Sequence, residues 1–325
     1  MNERPRHGRL TDYNTPLIEQ RADPYICCYD GKYYFTASVP AYDRVVLRCA
    51  DSISALADAP EKTLWVKHTN GEMSRHIWAP ELHLIDGEWY IYFAASMEED
   101  IWRLRPYVLK CVGGDPMKDE WVECGMMKRS DDDIYSFEAF SLDATTFECK
   151  GKRYFVWAEK VSVGIQISNL YIAQMESPTK LGTAQVLLTT PDYDWERVGI
   201  WVNEGPGVLK HDGKIFLTYS ASSTGPEYCV GMLSIDESDD LLDPREWKKA
   251  KKPVLCTDEE KGFFGPGHNN FTKLPDGTDV CSFHARTYPE VVGDPLYDPN
   301  RHAFVMKIVY DEKGEPVFDY KNCFR

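Results

Sequence analysis

Three acidic residues and one histidine occupy matching positions along this chain. Each lies eight or nine residues before the glycine of a short polar turn: Asp23, Asp143, Glu204, and His268 or its neighbour Asn269. Trp78 or Ala79 holds the matching position of the remaining turn. Carboxylates that lie together raise one another's pKa, and burial favours their neutral form. Such a cluster can supply one protonated acid and one ionised base near neutral pH, as glycoside hydrolysis requires.

Five short polar turns divide the chain at nearly constant intervals. Each places a glycine after a polar residue: Asp30-Gly31, Asp86-Gly87, Lys150-Gly151, Asp212-Gly213 and Asp276-Gly277. The glycines lie 56, 64, 62 and 64 residues apart. Aspartate followed by glycine suits a two-residue β-hairpin turn, and the flanking segments are rich in aromatic and β-branched residues. A hairpin that recurs at this period indicates a repeat architecture.

A further hydrophobic segment follows each hairpin, so each repeat holds at least three strands, and we expect a fourth. Four-stranded sheets repeated radially around a channel form a β-propeller, and five repeats predict an all-β, five-bladed propeller in a single domain. The expected blades span residues 18–72, 73–130, 131–192, 193–256 and 257–325. We expect closure by packing between the first and last blades, without a terminal strand that crosses over. An all-β sandwich is the alternative fold.

The propeller would bring the acidic residues together. The first strand of each blade lines the channel, and its start opens onto one face, so matching positions converge at the channel mouth. Each acid taken alone also has a structural interpretation, in which it caps a turn or pairs with an arginine. Because three acids share one position in the repeat, the pattern favours a common site.

The composition is typical of a soluble globular protein. Of the 325 residues 43% are hydrophobic, and no apolar run approaches the roughly 20 residues needed to cross a bilayer. The formal net charge of −15 argues against nucleic acid and acidic polysaccharide as partners, but not against a neutral sugar. The first residues, Met1–His7, lead into polar sequence without the apolar core of a secretory signal. We therefore expect a cytoplasmic protein with no membrane partner.

The ten cysteines are expected to be free thiols. Five of them lie within predicted strands, where a small buried thiol is the usual finding: Cys28, Cys49, Cys111, Cys229 and Cys281. Because the sequence contains no Cys-x-x-Cys pair, structural zinc is not expected.

Five segments resemble the ordered motifs of glycoside hydrolase family 43. They are Ala22-Asp23-Pro24, His76-Ile77-Trp78-Ala79-Pro80-Glu81, Ser141-Leu142-Asp143, Asn203-Glu204-Gly205-Pro206 and Gly265-Pro266-Gly267-His268-Asn269. The resemblance runs from about residue 20 to about residue 290 and covers all five repeats. Trp-Ala-Pro-Glu followed by an Asp-Gly-x-Trp-Tyr hairpin is specific in combination. The family implies a five-bladed propeller that hydrolyses arabinose- and xylose-containing glycosides with inversion at the anomeric carbon.

The same resemblance implies a role for each acid, whereas the residues by themselves leave the roles open. Asp23 would be the general base and Glu204 the general acid. Asp143 would orient Glu204 and tune its pKa.

Three further residues are candidates for the site. Trp78 lies beside the acids, where a ring suits the apolar side of a sugar; its alternative role is packing between blades. The resemblance implies that Arg286 reaches sugar hydroxyls, with a salt bridge to a surface acid as the alternative. His268 resembles the histidine that in many members helps hold a hydrated cation, so it is a candidate both for substrate binding and as a metal ligand. No cofactor is implied for the chemistry, and a structural calcium or sodium ion in the central channel is compatible with the resemblance.

The opening stretch from Asp23 to Arg44 and the segment Gly71-Glu72-Met73-Ser74 resemble the exo-acting α-L-arabinofuranosidases of the family. We therefore expect release of terminal α-L-arabinofuranosyl residues from neutral arabino-oligosaccharides. A β-xylosidase is disfavoured, because those of the family commonly add a β-sandwich domain for which five blades leave no room. An endo-arabinanase and a carbohydrate-binding propeller without catalysis stay as alternatives. A cytoplasmic location favours an exo enzyme that acts on short imported oligosaccharides.

Overall fold

Antiparallel strands dominate the computed structural model, which describes residues 14–162 and 165–325. The helical segments are short 3-10 turns at Ser54–Ala57, Asp194–Glu196, Pro295–Tyr297 and Tyr320–Asn322. Within the described residues no helix has the length and apolar character needed to cross a membrane.

The strands group into five consecutive sets along the chain, which we call blades one to five; the strands of blades three and four also pair with each other and form one continuous sheet. Blade one contains β1 (Ala22–Tyr29), β2 (Lys32–Ser38), β3 (Arg44–Ala50) and β4 (Lys62–Val66). Blade two contains β5 (Arg75–Ile85), β6 (Glu88–Met97), β7 (Asp100–Val112) and β8 (Glu120–Met126). Blade three contains β9 (Ser141–Cys149), β10 (Lys152–Lys160), β11 (Ile167–Ser177), β12 (Lys180–Leu181) and β13 (Val186–Thr189). Blade four contains β14 (Trp201–His211), β15 (Lys214–Ala221), β16 (Cys229–Asp236) and β17 (Lys248–Lys249). Blade five contains β18 (Phe264–Lys273), β19 (Asp279–Arg286), β20 (His302–Lys307) and the outer strand β23 (Cys323–Phe324). Between β20 and β23 the chain forms a separate hairpin of β21 (Val309–Tyr310) and β22 (Pro316–Val317).

The first strands of the five blades form a closed ring. Strand β1 contacts β5, β5 contacts β9, β9 contacts β14, β14 contacts β18, and β18 contacts β1. Each of these strands is also the first of an antiparallel hairpin within its own blade. This arrangement confirms the predicted all-β, five-bladed propeller.

Large aromatic residues fill the space between adjacent blades. Tyr92 of blade two packs in one cluster with Phe155 and Trp157 of blade three, and all three are fully buried. Phe216 of blade four and Phe283 of blade five belong to a second cluster and are also fully buried. Close-packed interiors of this kind deform little, so the inner strands are held at fixed positions around the channel.

Four of the five predicted turns have the two-residue geometry. In these four both residues have positive φ, as a type I′ turn requires: Asp30-Gly31, Asp86-Gly87, Lys150-Gly151 and Asp212-Gly213. The fifth turn is wider, because Pro275 precedes Asp276 and proline fixes its own φ near −65°. There Gly277 N donates to Leu274 O (2.9 Å), and Gly277 alone of the Asp-Gly pair has a positive φ (88°).

Closure of the ring includes a backbone contact that the sequence did not predict. Ile18, which precedes β1, forms an antiparallel bridge with Ala303 of β20. Ala303 N donates to Ile18 O at 2.9 Å, and Leu17 N donates to Ala303 O at 2.8 Å. Leu17 and Ile18 are buried in the same cluster as Val280 and Val305 of blade five. The expectation of closure by packing alone is therefore corrected, because the segment before β1 also hydrogen-bonds to the last blade.

A parallel link joins blades three and four. Ile167 and Ser168 of β11 pair with Trp201 and Val202 of β14. Strand β14 carries Glu204, so this link fixes the start of an acid-bearing strand to the neighbouring blade.

All ten cysteines lie within the described residues and are free. Cys111, Cys229 and Cys281 are buried, as the strand pattern predicted. Cys28 is exposed and Cys49 is only half-buried, because each lies one residue before the end of its strand.

Candidate active site

Each inner strand has a left-handed residue at the same place, which we call the ring position. It is held by Asp23, Ala79, Asp143, Gly205 and His268, whose φ angles are 53°, 46°, 52°, 57° and 43°. The pairing register of all five inner strands shifts at this position. A bulge bends the strand and re-aims its side chains. Left-handed backbone at residues other than glycine costs energy and is concentrated at functional sites.

Glu204 lies one residue before the ring position of its strand. The corresponding residue is Trp78 in blade two and Leu142 in blade three, and all three line one cavity. Gly205 holds the ring position itself, where an added Cβ would lie 3.0 Å from His268 Cγ. Glu204 therefore lies one residue earlier in its strand than Asp23 and Asp143 lie in theirs.

A cavity of about 1030 Å³ opens over these residues. Its floor includes Asp23, Asp143, Glu204, His268 and Trp78, five of the six residues that the sequence nominated. The other wall residues are mixed in character and include Trp102, Arg103, Arg105, Phe140, Lys160, Tyr228, Leu296 and Arg301. A concave site with few convergent polar groups is the usual form of a small-ligand site.

His268 lies between the two aspartates of the ring. Its Nδ1 atom is 3.3 Å from Asp23 Oδ1 and 3.6 Å from Asp143 Oδ2. Burial disfavours the imidazolium, but the two carboxylates outweigh burial and raise the pKa of His268 to about 10. At neutral pH His268 is therefore a buried cation that lies beside both aspartates.

Asp23 is held as an ionised carboxylate. Ser38 Oγ donates to its Oδ2 at 2.5 Å, and Arg301 Nη1 lies 3.8 Å from its Oδ1. Burial raises its pKa, but His268, His284 and Arg301 more than offset this effect, so the pKa of Asp23 lies well below its usual range. A carboxylate that stays ionised can accept a proton from water during a reaction.

The pKa values of Asp143 and Glu204 are shifted in the opposite direction, upward. Burial is the largest cause that raises the pKa of Asp143 to about 8; His268 opposes it, and repulsion from Glu204 and Asp23 adds to it. Burial also raises the pKa of Glu204, although Tyr228 Oη donates a hydrogen bond to Glu204 Oε1 at 2.9 Å. Because the two carboxyl groups interact, the proton belongs to the pair. One cavity thus holds an ionised carboxylate and a pair that retains a proton.

Trp78 forms an aromatic wall of the cavity. Its ring stacks on His76 (4.3 Å between centroids, 26°) and meets Tyr42 edge-on at 5.5 Å. The side chain is buried, and its indole nitrogen has no hydrogen-bond partner among the described residues. Trp78 therefore both packs between blades and presents a donor without a protein acceptor.

Arg286 does not line the cavity, which corrects the expectation that it reaches the sugar. Its Nη1 donates to Thr224 O at 2.6 Å and its Nη2 to Pro295 O at 2.7 Å, and its Nε lies 3.6 Å from Asp298 Oδ2. The side chain is almost fully buried. The guanidinium is therefore occupied by rim-loop carbonyls and by a salt bridge, which was the alternative interpretation.

Arg301 lines the cavity beside Asp23, and the sequence did not nominate it. Besides its contact with Asp23, its Nη2 donates to Tyr42 Oη at 2.6 Å. Arg301 lies just before β20, the third strand of blade five. Because the distance from a hairpin turn locates positions on first strands only, it does not locate Arg301.

Tyr228 and His284 were also missed. Tyr228 lies just before β16 and reaches Glu204 across its own blade. His284 Nδ1 accepts a hydrogen bond from Asp23 N at 3.0 Å. The segment His284-Ala285-Arg286 contains both candidates, and the histidine, not the arginine, contacts Asp23.

The sequence profile described as Glycosyl hydrolases family 43 matches residues 13–316. The chain belongs to this family. The match confirms the resemblance that the five motifs carried. It does not by itself assign a role to any residue.

Three relatives are each nearly half identical to this chain over the aligned residues. An extracellular exo-α-(1→5)-L-arabinofuranosidase of Streptomyces avermitilis is 46% identical over 308 residues, which cover 94% of this chain and 63% of the relative. A protein of the same description from Streptomyces chartreusis is 48% identical over 289 residues, 88% of this chain and 86% of the relative. The crystal structure of an α-L-arabinofuranosidase from Lactobacillus brevis matches with a TM-score of 0.89 at 48% identity, covering 95% of this chain and 96% of that one. The chain thus spans less than two thirds of the first relative.

The expectation of a cytoplasmic location is wrong. Both streptomycete relatives are named extracellular, which points to secretion. The expectation depended on the lack of an apolar core in Met1–His7, which lies outside the described residues. The argument from imported oligosaccharides falls with it.

Family 43 glycosidases need no cofactor for their chemistry. The described residues include no group of three or more histidine, cysteine or carboxylate side chains arranged to hold a metal ion. Nδ1 of His268, the residue predicted as a metal ligand, faces Asp23 and Asp143. The described residues thus give no set of three direct protein ligands for a channel cation, and the hydrated cation that the resemblance implied stays a prediction.

Proposed function

We propose that this family 43 chain is an inverting exo-α-L-arabinofuranosidase that releases terminal α-L-arabinofuranosyl residues from neutral arabino-oligosaccharides. The proposal depends on one observation, that carboxyl groups in the same cavity have pKa values shifted in opposite directions. The pKa of Asp23 is lowered, whereas the pKa values of Asp143 and Glu204 are raised. The names of the relatives support the choice of sugar. We further propose that residues 1–325 belong to one catalytic domain with the blade boundaries predicted from the sequence.

In the proposed mechanism Asp23 is the general base and Glu204 the general acid. Asp23 accepts a proton from water, and the water oxygen bonds to the anomeric carbon on the face opposite the leaving group. Glu204 gives its proton to the glycosidic oxygen as the bond from that oxygen to the anomeric carbon breaks. The configuration inverts because attack and departure occur on opposite faces.

The surrounding charges suit this proton movement. During the reaction negative charge disappears from Asp23 and appears on Glu204. Tyr228 already donates a hydrogen bond to Glu204 and stabilises the carboxylate that forms. His268 and Arg301 hold Asp23 ionised until it accepts a proton from water. We propose Trp78 as the apolar wall for the sugar, and His268 and Arg301 as its polar neighbours.

The direct test follows the first products from linear arabino-oligosaccharides. We expect only monosaccharide early in the digestion, and proton NMR during the first turnovers should show the β-anomer before mutarotation. Early dimers and trimers would indicate an endo-arabinanase, and release of xylose alone would indicate a β-xylosidase. An initial α-anomer would exclude inversion. Binding without any release would identify a non-catalytic carbohydrate-binding propeller.

Asp143→Asn should move the basic limb of the pH profile to lower pH. The variant removes a negative neighbour of Glu204, so Glu204 loses its proton more easily and ceases to act as an acid earlier as the pH rises. We expect a shift of about one pH unit in kcat/KM for an unactivated disaccharide, together with a lower kcat. An unchanged basic limb, or one at higher pH, would remove Asp143 from its role as the modulator of Glu204.

A further inference from the structure

Tyr228 contacts the proposed proton donor directly. Its Oη atom donates to Glu204 Oε1 at 2.9 Å, and the side chain is buried. Burial, reinforced by Glu204, raises the pKa of Tyr228 well above its usual range, so the phenol remains a donor. Because Oε1 accepts this hydrogen bond, the proton of a neutral Glu204 resides on Oε2. The contact thus selects which oxygen of the acid can protonate a leaving group.

The ring of Tyr228 lies in a close-fitting slot. An added Cβ on Gly267 would lie 2.2 Å from Tyr228 Cε1, so only glycine allows this approach. The ring also packs parallel to the His284 imidazole, with centroids 5.6 Å apart and planes 2° from parallel. Both contacts come from blade five, whereas Tyr228 and Glu204 belong to blade four. The neighbouring blade therefore fixes the position of the phenol.

His284 connects this slot to the base. Its Nδ1 atom accepts from Asp23 N at 3.0 Å. Burial lowers the pKa of His284 to about 3, so the ring is neutral and carries its proton on Nε2. A continuous series of contacts then leads from Glu204 through Tyr228 and His284 to the backbone of Asp23. These four residues come from three blades.

We propose that Tyr228 is a positioning residue that presents Glu204 with its proton on Oε2, and that the His284 ring holds Tyr228 in register with Asp23. This inference rests on the proposed function, since it assumes that Glu204 is the acid. It adds an element that the three carboxylates do not contain. The separation of acid and base would be set by a tyrosine and histidine stack, not by the strands alone.

Tyr228→Phe tests the hydroxyl, because it keeps the ring in its slot. Loss of a donor to the ionised form of Glu204 should raise the pKa of that carboxyl and move the basic limb of kcat/KM upward by about one pH unit. For an unactivated disaccharide kcat should fall at least about 10-fold, because the acid is no longer oriented. The remaining charged groups around Glu204 are unchanged in this variant: Asp23, Asp143, Lys160, His268 and Arg301.

Tyr219→Phe is the matched control. Tyr219 is a buried tyrosine of the same blade whose Oη donates to the Glu196 carboxylate at the same distance, 2.9 Å, away from the cavity. It should lose stability as Tyr228→Phe does but leave the basic limb in place. If both variants, or neither, move the limb, the inference is overturned.

The His284 step needs two variants that differ only in the ring. His284→Ala and His284→Phe both remove the acceptor of Asp23 N, but the phenylalanine keeps a ring against Tyr228. We expect His284→Ala to move the basic limb upward as Tyr228→Phe does, and His284→Phe to restore it. If the basic limb of kcat/KM lies at the same pH in both variants, the His284 ring does not hold Tyr228 in place.

A readout without turnover separates this inference from the proposed function. In protein labelled with carbon-13 at the glutamate side-chain carboxyl, the Glu204 signal is assigned by its loss in Glu204→Gln. It should titrate at higher pH in Tyr228→Phe than in the wild-type protein. If the titration moves in this way but no arabinofuranoside is hydrolysed, the proposed function is rejected and the role of Tyr228 toward Glu204 is retained. Hydrolysis with an unmoved titration would reject the role of Tyr228 and keep the function.

Discussion

Asp23→Asn should abolish most of the hydrolysis of every substrate, with a loss on the order of 10²- to 10⁴-fold in kcat. Attack by water requires a base whichever group departs, so an activated leaving group cannot compensate. Asparagine has nearly the shape of aspartate and tolerates the left-handed backbone of this position (φ 53°). The loss should therefore report on proton transfer. Rates on an arabino-disaccharide and on a nitrophenyl arabinofuranoside measure it.

The matched control is Asp86→Asn. Asp86 has nearly the same backbone angle (φ 52°) but lies exposed in the second hairpin turn. It should keep full activity. If Asp23→Asn retained activity on the nitrophenyl substrate alone, Asp23 would be acting on the leaving group, and the two catalytic roles would have to be exchanged.

Glu204→Gln should separate the two substrates. A poor leaving group needs a proton, so we expect a loss on the order of 10²- to 10⁴-fold on the arabino-disaccharide. A nitrophenolate departs without help, so most of the activity on the nitrophenyl glycoside should remain. The glutamine oxygen can still accept the hydrogen bond of Tyr228, which preserves the local geometry.

Glu148→Gln, a change at an exposed position of β9, is the control and should leave both rates unaltered. Equal losses on the two substrates would contradict the role of Glu204 as a proton donor. They would instead indicate a residue that binds the sugar.

Local patterns in the sequence were sufficient for much of the fold. Turn chemistry and the alternation of a strand are properties of a few neighbouring residues, so the positions of the hairpins could be predicted. Even there a neighbour mattered, because Pro275 widened the fifth turn. The bridge from Ile18 to Ala303 joins residues that are nearly a whole chain apart, so no local pattern predicts it.

The candidate site divides in the same way. Residue type and a constant distance from the turn were enough to nominate the three acids, Trp78 and His268. The tertiary structure decided that Glu204 lies one residue before the ring position, because only the pairing of the strands shows where each bulge lies. It also decided between two arginines, since Arg286 binds loop carbonyls and Arg301 faces the cavity.

Protonation depended most on the tertiary structure. By itself His268 titrates near neutral pH, and it becomes a persistent cation only because Asp23 and Asp143 approach it from two other blades. Asp23 and Asp143 are the same residue type at the same ring position, yet their pKa values move in opposite directions. The sequence by itself determined which residues could do acid and base chemistry. The fold decided which of them holds a proton, because a pKa depends on burial and on charges a few ångströms away, and those neighbours lie far apart along the chain.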